Sequence, residues 1–214
     1  MIEENIKVII PRNYGWIEKR LSEKEMNYLW ECIDKHQESL KESLAGNIHE
    51  SYELIDDNDW FFYNTIQPLC SLYAEVFENV GKRIPVNQTH PYILQPFWVN
   101  YQKQNEFNPS HNHDGVYSFV IWMKIPTRHL DQIKNPISLN SNSDCISAFQ
   151  FQYTNLLGEI KFHQYEMNPE IEGTLIFFPA KLHHQVYPFF NCQEDRISIS
   201  GNITLDSSKV HESD

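Results

Sequence analysis

In the first third of the chain apolar residues recur at helical spacing, whereas beyond Pro91 they alternate with polar ones or gather in short runs. In SEKEMNYLWECIDKHQESLKESL, Ser22 and Glu25 stand in capping-box spacing, and Met26, Leu29, Trp30, Ile33, Leu40 and Leu44 follow at helical intervals. An amphipathic helix packed on one face is predicted there. A second helix is predicted from about Asp59 to Val80, with Ile66, Leu69, Cys70, Tyr73 and Phe77 as its stripe; Pro68 must bend it or move its start. The opening IKVIIP reads as a short strand. Candidate strands after Pro91 are PYILQPFWVNY, VYSFVIWMKI, SAFQFQY, EIKFHQY, EGTLIFFP, HQVYPF and RISISGNITL, spaced as in an antiparallel sandwich or barrel. TRHLDQIKNPISLNSNSD reads as a surface excursion, and the tail DSSKVHESD as too polar to pack. Helices first and strands afterwards predict an α+β layout, with helices covering one outer face of a sandwich whose interior can hold a site.

Composition narrows the function. A chain of 214 residues, 41% apolar and 14% aromatic, fits one globular domain with a full core. A formal charge of -12 opposes a sequence-independent grip on nucleic acid, so no nucleic-acid partner is expected. Cys32, Cys70, Cys145 and Cys192 lie far apart with no CxxC pair, which spells neither a zinc knuckle nor a redox motif. Neither a signal peptide nor a membrane-length apolar run is visible, so a soluble, intracellular chain with free thiols is expected.

Two blocks carry candidate chemistry. In NPSHNHDGVYSF, alternate residues of an extended chain would let His111 and His113 converge while Asn112 faces away, a weak metal signal until a third ligand is found. In GTLIFFPAKLHHQVYPFFNCQEDRISISGNI, an apolar strand leads to a turn with His183 and His184, and the next strand carries Arg196. Arg196, Ser198, Ser200 and Asn202 share one face of that strand and Ile197, Ile199 and Ile203 the other. The polar face fits either an edge strand turned to water or the lining of a pocket.

These blocks resemble the iron(II) and 2-oxoglutarate-dependent oxygenases, in particular the prolyl-hydroxylase-like branch and the oxygenases of marine bacteriophages. The likeness covers roughly residues 51–205 and is most specific in WVNYQKQNEFNPSHNHDGVYSFVIWMKIP and TLIFFPAKLHHQVYPFFNCQEDRISISGNI. It implies a double-stranded β-helix, a jelly roll of antiparallel strands with the N-terminal helices on one outer face. The implied single oxygenase domain spans 1–205, with 1–90 mainly helical, 91–205 the jelly-roll core and 206–214 a flexible tail. The family pattern is HxD, then His in H-x-V-x-P, then an arginine that pairs with 2-oxoglutarate. Carried over, it makes His111 the first Fe(II) ligand, His184 the last and Arg196 the anchor.

The chain departs from that pattern at the carboxylate, where it has His113, with Asp114 one residue on. On a regular strand Asp114 faces the wrong way, so His113 is the expected second ligand and Asp114 the alternative should a turn at Gly115 re-aim it. Three neutral imidazoles would leave the ion its full double charge. The resemblance also implies that Tyr101 and Trp122 line the 2-oxoglutarate pocket, with Ser198 on the anchoring face and Ser118 as a supporting donor. His183 is expected beside the site without ligating, and His129 and His163 as surface or satisfied residues. The implied activity is hydroxylation of a peptide or small molecule with release of succinate and CO2, in the cytoplasm (the host's, if phage-encoded). Two other readings remain open on the residues alone. One is a three-histidine cupin-type dioxygenase or zinc hydrolase without 2-oxoglutarate; the other is a non-catalytic jelly-roll binding protein. Prime substrate and oligomeric state are not specified.

Overall fold

The computed structural model describes residues 9, 13–35, 39–40, 46–86 and 88–209. Ser22 caps α1 (Glu23–Asp34): its hydroxyl accepts from the Glu25 amide while the Glu25 carboxylate accepts from the Ser22 amide, satisfying amides the first turn leaves open. The helix is shorter than the sequence predicts. By Ser39 the chain has bridged to Tyr52, and the Leu40 amide donates to the Ser51 carbonyl, so it runs beside β2 (Glu50–Leu54) instead. Leu44 lies outside the described residues, as does nearly all of IKVIIP. The second helix forms, with Pro68 in the first turn of α2 (Gln67–Val76) and a wide turn over Phe62–Ile66 before it. There the Gln67 amide reaches back to the Phe62 carbonyl, the loosened bonding that lets a proline ring sit in a continuing helix.

The strands build two antiparallel sheets. The larger runs β1 (Ile17–Arg20), β9 (Thr174–Pro179), β6 (Tyr117–Lys124), β11 (Arg196–Leu205), β4 (Phe97–Gln102) and β2, with β3 (Tyr92–Leu94) also on β11. The smaller runs β5 (Asn108–His111), β10 (His183–Val186), β7 (Ala148–Thr154) and β8 (Ile160–Glu166). The predicted strand PYILQPFWVNY is two strands, because Pro96 has no amide to give the ladder. β1 and β2 bring part of the first 90 residues into the larger sheet.

Alternation sorts the larger sheet into two cores. Phe97, Val99, Tyr117, Phe119, Ile121, Ile199 and Ile203 face the helices, packing on Leu29, Phe61, Ile66 and Tyr73. Val120, Trp122, Ile176 and Phe178 face the smaller sheet and meet Phe149 and Phe151. β11 is therefore a central strand and its polar residues look into the jelly roll. Gly201 lets β11 pass close under Phe119, where an added Cβ would fall 2.6 Å from the ring.

The segment TRHLDQIKNPISLNSNSD is not wholly a surface excursion: it forms α3 (His129–Ile133) and buries Thr127, His129 and Gln132. Residues 206–209 close a turn at Asp206, and the rest of the tail lies outside the described residues. No described helix is long and apolar enough to cross a membrane.

Candidate metal centre

The three histidines arrive from two strands and a loop. His111 ends β5 and pairs directly across from His184 on β10, which puts their ring centroids 4.3 Å apart. His113 lies past the end of β5, so strand alternation does not aim it. Its amide donates to the Ala180 carbonyl (2.8 Å), and at Gly115 the chain turns into β6 with φ +93°. An added Cβ there would meet the Ile203 carbonyl oxygen at 2.7 Å, which is why glycine occupies the turn. One ligand atom from each of His111, His113 and His184 lies within 4.8 Å of the others.

Hydrogen bonds orient the rings. His111 Nδ1 donates to the Pro109 carbonyl at 2.7 Å and His184 Nδ1 to the Leu182 carbonyl at 3.0 Å, so both leave Nε2 as a lone pair. His113 Nε2 faces His184 Nε2 at 3.2 Å. Two nitrogens at that separation, each about 2.1 Å from a shared ion, subtend about 100° at it, an ordinary ligand angle. Burial lowers the basicity of all three: His111 below its ordinary value, His113 to about 4, and His184, the most enclosed, well below. Neutral imidazoles need shed no proton to take a cation. Phe149 stacks on His184 at 5.5 Å and Phe178 meets it edge-on at 5.0 Å, keeping water from its inner side. The donor set fits Fe(II).

Asp114 points elsewhere. Its carboxylate is fully exposed and pairs with Lys181 at 3.1 Å. His183 is a neighbour, facing Asn112 Nδ2 at 3.0 Å, and His163 is exposed. His129 is a correction: it is completely buried and neither ring nitrogen has a partner among the described residues.

Arg196 opens β11 on the same inner face, fully buried without a carboxylate partner among the described residues. One terminal nitrogen donates to Ser147 Oγ (2.6 Å), the other to Gln102 Oε1 (3.3 Å), Nε has no partner, and the guanidinium lies 4.8 Å over the Phe189 ring. Burial pushes it down to about 9. A cation stripped of water and left without a counter-ion is costly, and an entering carboxylate would offset that cost.

Trp122 and Ser198 are register partners on this inner face; Trp122 packs on Phe149. Ser118 donates to Asn202 Oδ1 at 2.7 Å. Tyr101 is a correction. It pairs with Ile197 and packs on Tyr52 on the helix side, because in β4 only Trp98, Asn100 and Gln102 share the inner face with β11's polar residues. Sequence reasoning missed these three and Ser147. The β4 residues carry a signal, a polar alternation one position out of phase with Tyr101. Ser147, held at φ +56°, carries none.

A cavity of about 490 Å³ opens beside His111 and His113, walled by Trp98, Asn100, Ser200 and Asn202. A larger apolar groove of about 920 Å³, lined by Trp16, Tyr153 and Leu182, holds none of the three imidazoles.

Antiparallel sheets enclosing three imidazoles that could hold a metal ion define a jelly roll with a candidate metal centre. The model of the 2OG-Fe(II) oxygenase family matches residues 96–202, half of the 214-residue chain, and the chain belongs to that family. Its enzymes use Fe(II) and 2-oxoglutarate. Solved structures agree in fold. An oxidoreductase of the 2OG-Fe(II) oxygenase family from Burkholderia pseudomallei is 11% identical over 89% of this chain and 85% of its own, with a TM-score of 0.53. A Pseudomonas putida prolyl-4-hydroxylase is 14% identical over 91% and 94%, at 0.50. The non-heme α-ketoglutarate-dependent epimerase SnoN from nogalamycin biosynthesis is 15% identical over 91% and 77%, at 0.53. No curated protein matches the chain.

Proposed function

We propose that His111, His113 and His184 hold Fe(II) and that Arg196 anchors the distal carboxylate of 2-oxoglutarate, in a single oxygenase domain spanning residues 1–205. The observation that carries this reading is the buried Arg196, a cation with no anionic partner among the described residues, on the inner face that also borders the histidines. A three-histidine hydrolase would have no use for it. Arg196 and Ser200 are separated by roughly 13 Å of strand, at about 3.3 Å per residue, a distance an arginine side chain and a five-carbon diacid together span.

Bound there, Fe(II) would supply oxygen chemistry: dioxygen and 2-oxoglutarate give succinate and CO2, and the second oxygen atom enters a substrate C–H bond as hydroxyl. The chain's own residues position and shield. Arg196 and Ser147 orient the diacid through charge-assisted bonds. Ser198 and Trp122 line its path, and Phe149 and Phe178 keep water from His184. His113 in place of a carboxylate leaves the ion one charge more positive, which favours a dianionic co-substrate.

The prime substrate on this reading is a peptide or small molecule. The cytoplasm, a host's if the gene is phage-borne, is the proposed location, supported by four free cysteines. Incubation with Fe(II), 2-oxoglutarate and oxygen should yield succinate, even without prime substrate, at a slow uncoupled rate. No succinate, together with no 2-oxoglutarate binding by the metal-loaded protein, would exclude this function.

A further inference from the structure

Arg196 and Asn202 sit toward opposite ends of β11, so a diacid held between the metal and Arg196 leaves the Asn202 end for the other substrate. That end is walled by neutral hydrogen-bonding side chains: Gln95, Asn100, Asn108, Asn112, Ser200 and Asn202. Lysine and arginine are absent from the described lining, and its one acidic residue, Asp114, is turned to solvent and paired with Lys181. Among the described residues, neither an anionic nor a cationic substrate finds a counter-charge there.

Three of the amides are set in complementary senses. Ser118 Oγ donates to Asn202 Oδ1 at 2.7 Å and Ser51 Oγ to Asn100 Oδ1 at 2.8 Å. With their oxygens occupied, both side chains turn out amide N–H groups that bond no described residue. Asn108 Oδ1 is the converse, a buried acceptor without a donor among the described residues. Such an orphan costs about 1–3 kcal/mol unless something donates to it. Adjacent donors and acceptors suit hydroxyl groups, since each hydroxyl both donates and accepts. Trp98 adds an apolar wall, and the volume of about 490 Å³ falls within the range of small-molecule sites.

We infer that the prime substrate is an uncharged polyhydroxylated molecule, a neutral sugar unit, seated among Asn100, Asn108 and Asn202 beside His111 and His113. Its oxidation rests on the oxygenase reading, but its binding does not.

The test is saturation-transfer NMR on the full chain, without metal and with Zn(II), against maltose, lactose and cellobiose. Glucuronate, glucosamine and the blocked peptide acetyl-Gly-Pro-Gly-amide serve as counter-probes. At least one neutral disaccharide should bind. Asn202→Leu should weaken it about tenfold, and Ser118→Ala, which only frees Asn202 to turn, about threefold. Melting curves that match wild type keep either loss attributable to the site. Binding of the peptide or a charged sugar with no neutral disaccharide bound would overturn the inference, as would disaccharide affinity unchanged in both variants. Failure of the oxygenase reading is separately visible as absent 2-oxoglutarate binding, which the sugar titration does not measure.

Discussion

At one end of the interior three imidazoles meet with their basicity lowered by burial; at the other a guanidinium is sealed in without a carboxylate partner among the described residues. Both groups are desolvated, but with opposite results. The histidines answer burial by staying neutral, so the apo site is tolerable and prepared for a cation. Arg196, at about 9, remains charged at neutral pH and waits for an anion. On the proposed reading, a metal and a diacid together complete both ends, and neither ligand alone does.

The histidine end breaks most sharply. His184→Ala should weaken metal binding by about a thousandfold, since the remaining two nitrogens no longer define a face. Metal content after dialysis, with circular dichroism to verify the fold, reads the loss. Retained stoichiometric metal would remove His184 from the ligand set.

The same end predicts a pH dependence. His113 titrates near 4 when folded and from an ordinary 6.5 when unfolded, so between those values the unfolded chain binds more protons. Stability of the metal-free protein is therefore full above about pH 6.5 and falls as pH drops toward 4. The loss is about 3 kcal/mol for His113 alone, with His184 adding in the same direction. Glu25, held down to about 2 although burial opposes it, by bonds from Lys19, Thr65 and Ser22, loses its contribution only below its ordinary 4.5. Urea unfolding at pH 7.5 and 5 separates the two windows. A His113→Gln variant should reduce the slope in the upper one while leaving the part due to His184, and an unchanged slope would remove His113 as a source of it.

The arginine end should respond with the opposite sign in the apo protein. Arg196→Met should keep the metal, weaken 2-oxoglutarate about thirtyfold and raise apo stability by about 1 kcal/mol, because an unpaired buried charge is replaced by an apolar side chain. Calorimetric titration of 2-oxoglutarate into the Zn(II) form, and melting of the apo form, give the two readings. Lower apo stability in the variant would show that Ser147, Gln102 and Phe189 already satisfy the guanidinium.

Much of this contrast was legible in the sequence, and what was not has local causes. The strand RISISGNITL and the Ser22 capping box follow from alternation and spacing, and the imidazoles from two separated motifs. Tyr101 was misplaced because the face of a residue depends on strand register, and one step along β4 exchanges Tyr101 for Gln102. Strand alternation does not reach either candidate, because β5 ends at His111: a loop bond to Ala180 aims His113, and Asp114 turns outward to Lys181. Ser147, with its left-handed backbone, and His129, whose buried ring nitrogens have no partner among the described residues, depend on the packing of the 127–147 segment, for which no short-range signal exists.

The smallest expected effect sharpens the comparison at that loop. Asp114 adjoins His113, and a carboxylate so close to a metal invites assignment as a ligand. Its side chain is fully exposed and its Lys181 partner two-thirds exposed. Surface pairs of this kind contribute little, and screening by salt reduces that further. Asp114→Asn should therefore change metal affinity less than about twofold, through loss of a screened charge. His113→Asn, which removes the imidazole but keeps a neutral polar side chain, should cost at least about a hundredfold. If the order is reversed, the turn at Gly115 re-aims Asp114 toward the ion when metal binds, and the extra positive charge assigned to this centre disappears with it.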